Sequence, residues 1–213
     1  MKATYQKELQ LLQEGYRLIL GLDEAGRGPW AGPVSVGGVL ITDEKQIIDG
    51  VGDSKTLSHL KREDLYERII NSGCKYSFSL IQSQIIDKIG IHHAIHEAMI
   101  NVISDIEKSI NDKVSYLLID GANVLEIEGY QQERINKGDA LHYSISAGSI
   151  IAKVARDRFM YEQAKLYPQY QFEKHVGYGT KIHYEALCKY GPCPLHRFSF
   201  KPIKAIVEQI NQK

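Results

Sequence analysis

Tyr16-Arg-Leu-Ile-Leu-Gly-Leu-Asp-Glu24 is an apolar run of strand length that stops abruptly on two acids. Such a run reads as a buried strand with carboxylates at its C-terminal end. Val114-Ser-Tyr-Leu-Leu-Ile-Asp120 repeats the pattern and ends on one acid. It follows another expected strand, Lys75 to Ile81, by way of helical stretches over 82–89 and 91–111, the second with Ala94, Ile95, Ala98, Met99, Val102 and Ile106 at helical spacing. Strand, long helix, strand is a crossover, and a crossover favours parallel pairing. If the two acid-ended strands are neighbours, Asp23, Glu24 and Asp120 converge at the carboxyl edge of an open α/β sheet, where such sheets place their sites. Three crowded carboxylates repel one another unless protons or cations intervene. Their oxygen ligands suit an octahedral divalent ion, Mg2+ or Mn2+. One acid at a strand end is usually a cap or turn residue. Three after buried strands favour a metal, since cysteine and histidine supply no competing cluster.

Outward from the acids, Gly26-Arg27-Gly28 and Gly32-Pro33 form a loop. Glycines let a backbone approach a sugar or phosphate, and Arg27 offers a fork of donors. A second strand is expected over Val34 to Ile41, bent or closely approached at Gly37 and Gly38. Ser58 caps a helix running to about Asn71, Lys75 to Ile81 is a third strand, and Leu141 to Ile145 is a candidate fifth. A helix from about Ser146 to Lys165 follows, then a loop over 167–180 and short closing helices over 181–189 and 203–211. Residues 5–15 read as a short polar helix or an ordered tail, ending near Gly15. Along the Ser146 helix, Ser146, Ser149, Lys153 and Asp157 make a polar stripe opposite Ile150, Ile151 and Val154. A solvated face is its ordinary reading. Lys55 suits a surface lysine and a phosphate contact equally, and Lys137-Gly-Asp139 reads as a surface turn. His183, Cys188, Cys193 and His196 match no common structural zinc spacing. His92, His93 and His96 read as surface or partly buried helix residues without a ligand role.

The 213 residues are 43% hydrophobic and 24% charged, which excludes wholesale disorder and requires no disulfide or metal staple. No apolar run approaches the ~18 residues of a membrane helix. Lys2, Lys7 and Glu8, with no apolar core after them, are unlike a secretory signal, and three scattered cysteines fit a reducing cytoplasm. Lys+Arg and Asp+Glu are both 26, yet residues 151–213 hold 11 basic against 5 acidic side chains. That basic segment suits a polyanion, although ordinary surface fluctuation explains it as well. No repeat or linker divides the chain, so one α/β domain over 1–213, with its core at about 17–200, is expected.

Asp23-Glu-Ala-Gly-Arg-Gly-Pro29 resembles the signature of the ribonuclease HII family, the type 2 ribonucleases H. Further matches follow in order: Asp53-Ser-Lys55 with Leu57, Ile119-Asp-Gly121, Lys137-Gly-Asp139, Ser149 to Asp157, Gly177-Tyr-Gly-Thr-Lys181 with His183, and His196-Arg197 with Ser199-Phe200. They span about residues 17–200. The chain departs from the family's alanine-rich run at Ser146-Ala-Gly148, and a glycine there weakens a helix start by ~1 kcal/mol.

The resemblance implies a ribonuclease H-like fold: a central mixed five-stranded sheet led by three antiparallel strands, helices on both faces, and a helical C-terminal part that helps grip a duplex. It implies Asp23, Glu24, Asp120 and Asp139 as the catalytic and metal-binding acids, working with Mn2+ or Mg2+ in a two-metal mechanism. It implies Gly26, Arg27 and Gly28 as sensors of a 2′-hydroxyl, Tyr178 as a stack on the following sugar, and Lys55 as a candidate phosphate contact. Ser149, Lys153 and Asp157 become supporting groups in the site wall. The implied substrates are RNA–DNA hybrids and single ribonucleotides in duplex DNA, cut on their 5′ side to leave 5′-phosphate and 3′-hydroxyl, with a place in ribonucleotide excision repair. The related ribonuclease HIII carries an extra N-terminal domain and a different glycine-loop residue; here about 20 residues precede the first strand and Arg27 is present. A hybrid-binding protein without catalysis is the other alternative, and the four acids argue against it. A cytoplasmic monomer is expected, with no membrane partner, and recruitment by a sliding clamp stays open.

Overall fold

The computed structural model describes residues 3–211 apart from 53, 55, 56 and 123. In chain order these form α1 (Gln6–Gln13), β1 (Ile19–Ala25), β2 (Val34–Leu40), α2 (His59–Ile70), β3 (Lys75–Ile81), α3 (Ser83–Ile89), α4 (Ile91–Ile110), β4 (Tyr116–Asp120) and β5 (Gln131–Ile135). Then come α5 (Gly138–Leu141), the long α6 (Tyr143–Leu166), α7 (Phe172–His175), α8 (Lys181–Tyr190) and α9 (Lys201–Asn211). The strands make one mixed sheet in the order β3-β2-β1-β4-β5. β3, β2 and β1 run antiparallel, while β4 pairs parallel with both β1 and β5. α4 carries the chain from β3 at one edge past β2 and β1 to β4, which pairs parallel with β1, so the two acid-ended strands are neighbours.

Alternation along the strands assigns the two faces. Leu20 and Leu22 of β1 join Met99, Val102 and Ile103 of α4 in one buried core. On the opposite face Val39 packs with Ile151 and Val154 of α6 and with Leu65 and Ile69 of α2. A third core, with Met160, Tyr170, Phe172, Leu187 and Ile203, binds the C-terminal helices to the end of α6.

α6 lies unusually close to the sheet, because glycines face it. A Cβ on Gly21 would stand 2.3 Å from the Ser144 carbonyl carbon, and one on Gly37 would stand 2.2 Å from the Gly148 oxygen. Gly148 answers from the helix side: its own Cβ would lie 2.9 Å from the Gly37 oxygen. The expected weak helix start is therefore a packing requirement. The helix begins at Tyr143 rather than Ser146, and the fully buried Glu8 of α1 accepts both the Ser144 N–H (2.9 Å) and its hydroxyl (2.6 Å) there.

The fifth strand is not Leu141 to Ile145. Leu141 closes α5, Tyr143 opens α6, and the strand is Gln131–Ile135, aligned with β4 from Tyr116↔Gln131 to Asp120↔Ile135. Gln131-Gln-Glu-Arg-Ile135 is an edge strand whose polar residues carry no apolar alternation. The apolar residues of 141–145 include Ile145, which packs on Leu11, Ile19 and Leu118 as part of a helix buried on most sides.

Candidate active site

β1 and β4 end side by side, so Asp23 and Asp120 meet at the carboxyl edge of the sheet. Asp139 joins them from α5. Oxygens of these three carboxylates lie within 4.8 Å of one another, the metal-capable cluster found among the described residues. The local geometry explains Asp139. Lys137 adopts a left-handed conformation, φ 58°, that turns the chain into α5. Gly138 then passes so close that a Cβ would stand 2.6 Å from Ile145 Cδ1. The Gly138 N–H donates to Asp120 Oδ1 at 2.6 Å, which docks the α5 turn on the end of β4. Asp139 is only 4% exposed, so the surface turn expected from Lys137-Gly-Asp139 is a buried one.

Asp23 is also buried, and its Oδ1 accepts the Glu24 N–H at 2.7 Å, whereas Oδ2 has no hydrogen-bond partner among the described residues. Burial first, then the charges of Glu24 and Asp120, hold its carboxyl well above the usual range, while the Ser149 hydroxyl favours the charged form. A buried carboxylate with an orphaned oxygen beside other acids fits a divalent cation held by oxygen ligands. Glu24 stands outside the triad; its Oε1 takes Arg27 Nη1 at 3.0 Å. Arg27 Nη2 in turn lies 3.1 Å from His92 Nδ1, so His92 is part of the site's rim rather than a bystander on its helix.

Asp23, Glu24 and Asp120 open into a cleft of about 300 Å3, lined also by Gly26, Arg27, Gly28, Ser149, Lys153 and Tyr178. Gly26 has φ +90°, and a Cβ there would strike the Arg156 side chain, whereas Gly28 faces open space. Two buried arginines shape this loop. Arg197 donates to the carbonyl oxygens of Gly26 (2.6 Å), Arg27 (3.0 Å), Gly32 (3.0 Å) and Pro33 (2.9 Å). Arg156 donates to Pro33 (2.9 Å) and Ala31 (3.1 Å). Both side chains are fully buried, and burial lowers Arg197 to about 9, still charged at neutral pH. With the carbonyls turned to the arginines, no described group accepts from the N–H of Gly26, Arg27 or Gly28.

Tyr178 is 42% exposed on the opposite wall, with Lys153 Nζ 5.8 Å and Arg156 Cζ 5.9 Å from its ring centre. Its loop lies flush on Trp30, since a Cβ on Gly179 would stand 2.1 Å from that indole. The polar stripe of α6 is not a solvated face. Ser149 and Asp157 are buried; Ser149 Oγ lies 2.8 Å from Ser54 Oγ, and Lys153 Nζ donates to Asp157 Oδ1 at 2.8 Å. Desolvation lowers the Lys153 pKa against the pull of Asp157. Ser146, the first of the stripe, is buried away from the cleft lining. Lys55 and Asp53 lie outside the described residues. His183 and His196 bond to each other, Nε2 to Nε2 at 3.0 Å, and Cys188 is exposed. The two arginines and His92 carried no assigned role from sequence; only the position of Arg156 and Arg197 inside quoted motifs marked them.

A family model described as Ribonuclease HII matches residues 20–203. Ribonuclease HII of Caldicellulosiruptor bescii is 48% identical over 196 residues, 92% of this chain and 92% of that protein. Among solved structures, the PCNA:RNase HII complex from Archaeoglobus fulgidus aligns with a TM-score of 0.71 at 26% identity, covering 86% of this chain and 95% of that one. Bst-RNase HIII in complex with Mn2+ aligns with a TM-score of 0.70 at 18% identity, covering 96% and 74%, a likeness of fold.

Proposed function

The chain belongs to the ribonuclease HII family and is a ribonuclease H-type hydrolase; from that premise we propose that it cuts the RNA strand of RNA–DNA hybrids and the 5′ side of single ribonucleotides in duplex DNA. The observation that carries this reading is the carboxylate cluster of Asp23, Asp120 and Asp139 beside a glycine loop whose N–H groups have no acceptor among the described residues. Asp23, Asp120 and Asp139, with Glu24 at their edge, are the residues that would hold Mn2+ or Mg2+. Such ions, when bound, make a water nucleophilic near neutral pH and stabilise a leaving 3′ oxygen, giving 5′-phosphate and 3′-hydroxyl ends. The Mn2+ of the ribonuclease HIII neighbour is compatible with this set.

The chain's own residues then divide the work. The N–H groups of Gly26 to Gly28 can donate to a 2′-hydroxyl, a group DNA lacks. Arg27, held between Glu24 and His92, faces the cleft with a charge for a backbone phosphate. Tyr178 supplies a flat, half-exposed ring for the sugar beyond the ribonucleotide. Ser149 orients Asp23, and the Lys153–Asp157 pair stiffens the wall under Tyr178. Lys55 remains a proposed phosphate contact. One catalytic unit over about 17–200, working as a cytoplasmic monomer in removal of misplaced ribonucleotides, completes the proposal. The Archaeoglobus fulgidus neighbour is a PCNA:RNase HII complex. Among the described residues no helix is long and apolar enough to cross a membrane.

The test is cleavage of a DNA duplex bearing one ribonucleotide, with Mg2+ and Mn2+ compared and product ends mapped. A single cut 5′ to the ribonucleotide supports the reading. Cleavage confined to long hybrids would overturn its single-ribonucleotide part.

A further inference from the structure

Behind Tyr178 lies a buried histidine pair whose hydrogen bonds can be read for proton position. His183 and His196 are both fully buried. The Cys193 N–H donates to His196 Nδ1 at 2.9 Å. A ring nitrogen that accepts cannot carry the proton, so His196 holds it on Nε2. The Cys193 carbonyl, 3.1 Å from the same Nδ1, is the other partner in reach, but a proton placed there would meet the Cys193 N–H head on. His196 Nε2 lies 3.0 Å from His183 Nε2. Two N–H groups cannot face each other at that distance, so His183 Nε2 accepts and its proton sits on Nδ1. That Nδ1 lies 2.9 Å from the Tyr178 carbonyl oxygen and donates to it.

The relay has a lateral support. His175 stacks on His183, with ring centres 4.5 Å apart and planes at 16°. It accepts the Gly177 N–H on Nδ1 at 3.3 Å and donates from Nε2 to the Tyr170 oxygen at 2.9 Å. Its own carbonyl takes the Tyr178 N–H at 2.8 Å. The backbone of Tyr178 is thus held at its N–H by the residue that stacks on the relay and at its oxygen by the relay's end. Burial keeps both imidazoles of the relay neutral by lowering their pKa values, His183 to about 3 and His196 to about 4.

Given the contact of Tyr178 with the sugar, on which this inference rests, we infer that His183 and His196 are positioning residues for single-ribonucleotide cleavage, acting as a one-way donor chain from the Cys193 N–H to the Tyr178 carbonyl. His183→Leu removes both bonds of the central ring, whereas His183→Asn keeps a donor near the Nδ1 position. His183→Leu should lower cleavage of the single-ribonucleotide duplex about fivefold, the worth of one ordinary hydrogen bond, and leave a long hybrid nearly unaffected. His183→Asn should recover most of that loss. In a Tyr178→Ala background His183→Leu should cost nothing further, because no ring remains to be placed. Nitrogen NMR of the native chain reads the tautomers directly and stands even where a variant folds poorly: Nδ1–H on His183 and Nε2–H on His196. Either tautomer reversed, or losses that multiply in the Tyr178→Ala background, would overturn the relay. A Tyr178→Ala chain that cleaves both substrates normally would instead overturn the sugar contact beneath it.

Discussion

At Asp120 one carboxylate oxygen already takes the Gly138 N–H, a bond that an amide oxygen can also accept. Asp120→Asn should therefore fold and bind duplex while losing the charge that cations need. Cleavage should fall by roughly two orders of magnitude or more, the scale on which removal of a charge-stabilising group from a dry site acts; near-normal rates would remove Asp120 from the metal set. Asp23 gives the complementary experiment. Its folded-state pKa is raised by burial and by its acidic neighbours. The stability tied to its proton is present below the ordinary carboxylate pKa and lost as pH rises through the folded value. At pH 8 in chelator, Asp23→Asn should melt at a higher temperature than the native chain, and added Mn2+ should close or reverse that gap. Asp23, Glu24 and Asp120 were legible in the sequence because each ends an apolar run. Asp139 was not, because Lys-Gly-Asp has the chemistry of an exposed turn and its burial comes from Gly138 packing on Ile145. Arg156 and Arg197 left no local signal either: their partners are backbone carbonyls more than 120 residues away, which no side-chain pattern encodes.

Among the elements, α6 packs closely on β1 and β2 and brings Ser149 and Lys153 to the site wall. An exposed helical glycine replaced by alanine normally gains about 1 kcal/mol. Gly148→Ala should do the opposite, because its Cβ would press on the Gly37 oxygen at 2.9 Å and the Gly21 oxygen at 3.2 Å, both backbone. A loss of about 1–3 kcal/mol is expected from such overpacking, or a fall in Tm of roughly 2–12 °C at this chain length. Unchanged or raised stability would mean that α6 can move away from the sheet. The order of the elements was mostly readable: β1, β2 and α4 carry the apolar patterns that their burial demands, and β3 alternates although its Tyr76 and Phe78 are exposed. The edge strand was not, because β5 buries too little to need an apolar pattern. α6 misled in the other direction: buried on most of its surface, it has almost no polar face to announce where it begins.

For the whole molecule the histidine cluster sets a pH response. His183 and His196 have folded-state pKa values near 3 and 4, far below the ordinary 6.5. A histidine depressed in this way contributes full stability above the unfolded pKa and loses it as pH falls, since only the unfolded chain takes up the proton. Between pH 7 and 5 each should cost about 2 kcal/mol. Asp23 responds in the opposite sense, so the clean measurement is a difference. The stability gap between the native chain and His183→Asn should shrink by about 2 kcal/mol over that interval, and a constant gap would show that His183 titrates normally. The arginine clamp has a consequence in time as well as in space. The loop that follows β1 takes its shape from Arg197, which bonds Gly26 across 171 residues of chain. All four acids have been synthesised by residue 139, yet the Gly26 and Arg27 carbonyls beside them lack their clamp until residue 197 emerges. A nascent chain therefore carries its acids before it carries its proposed means of choosing a target, and assembly of the site waits on synthesis past residue 197.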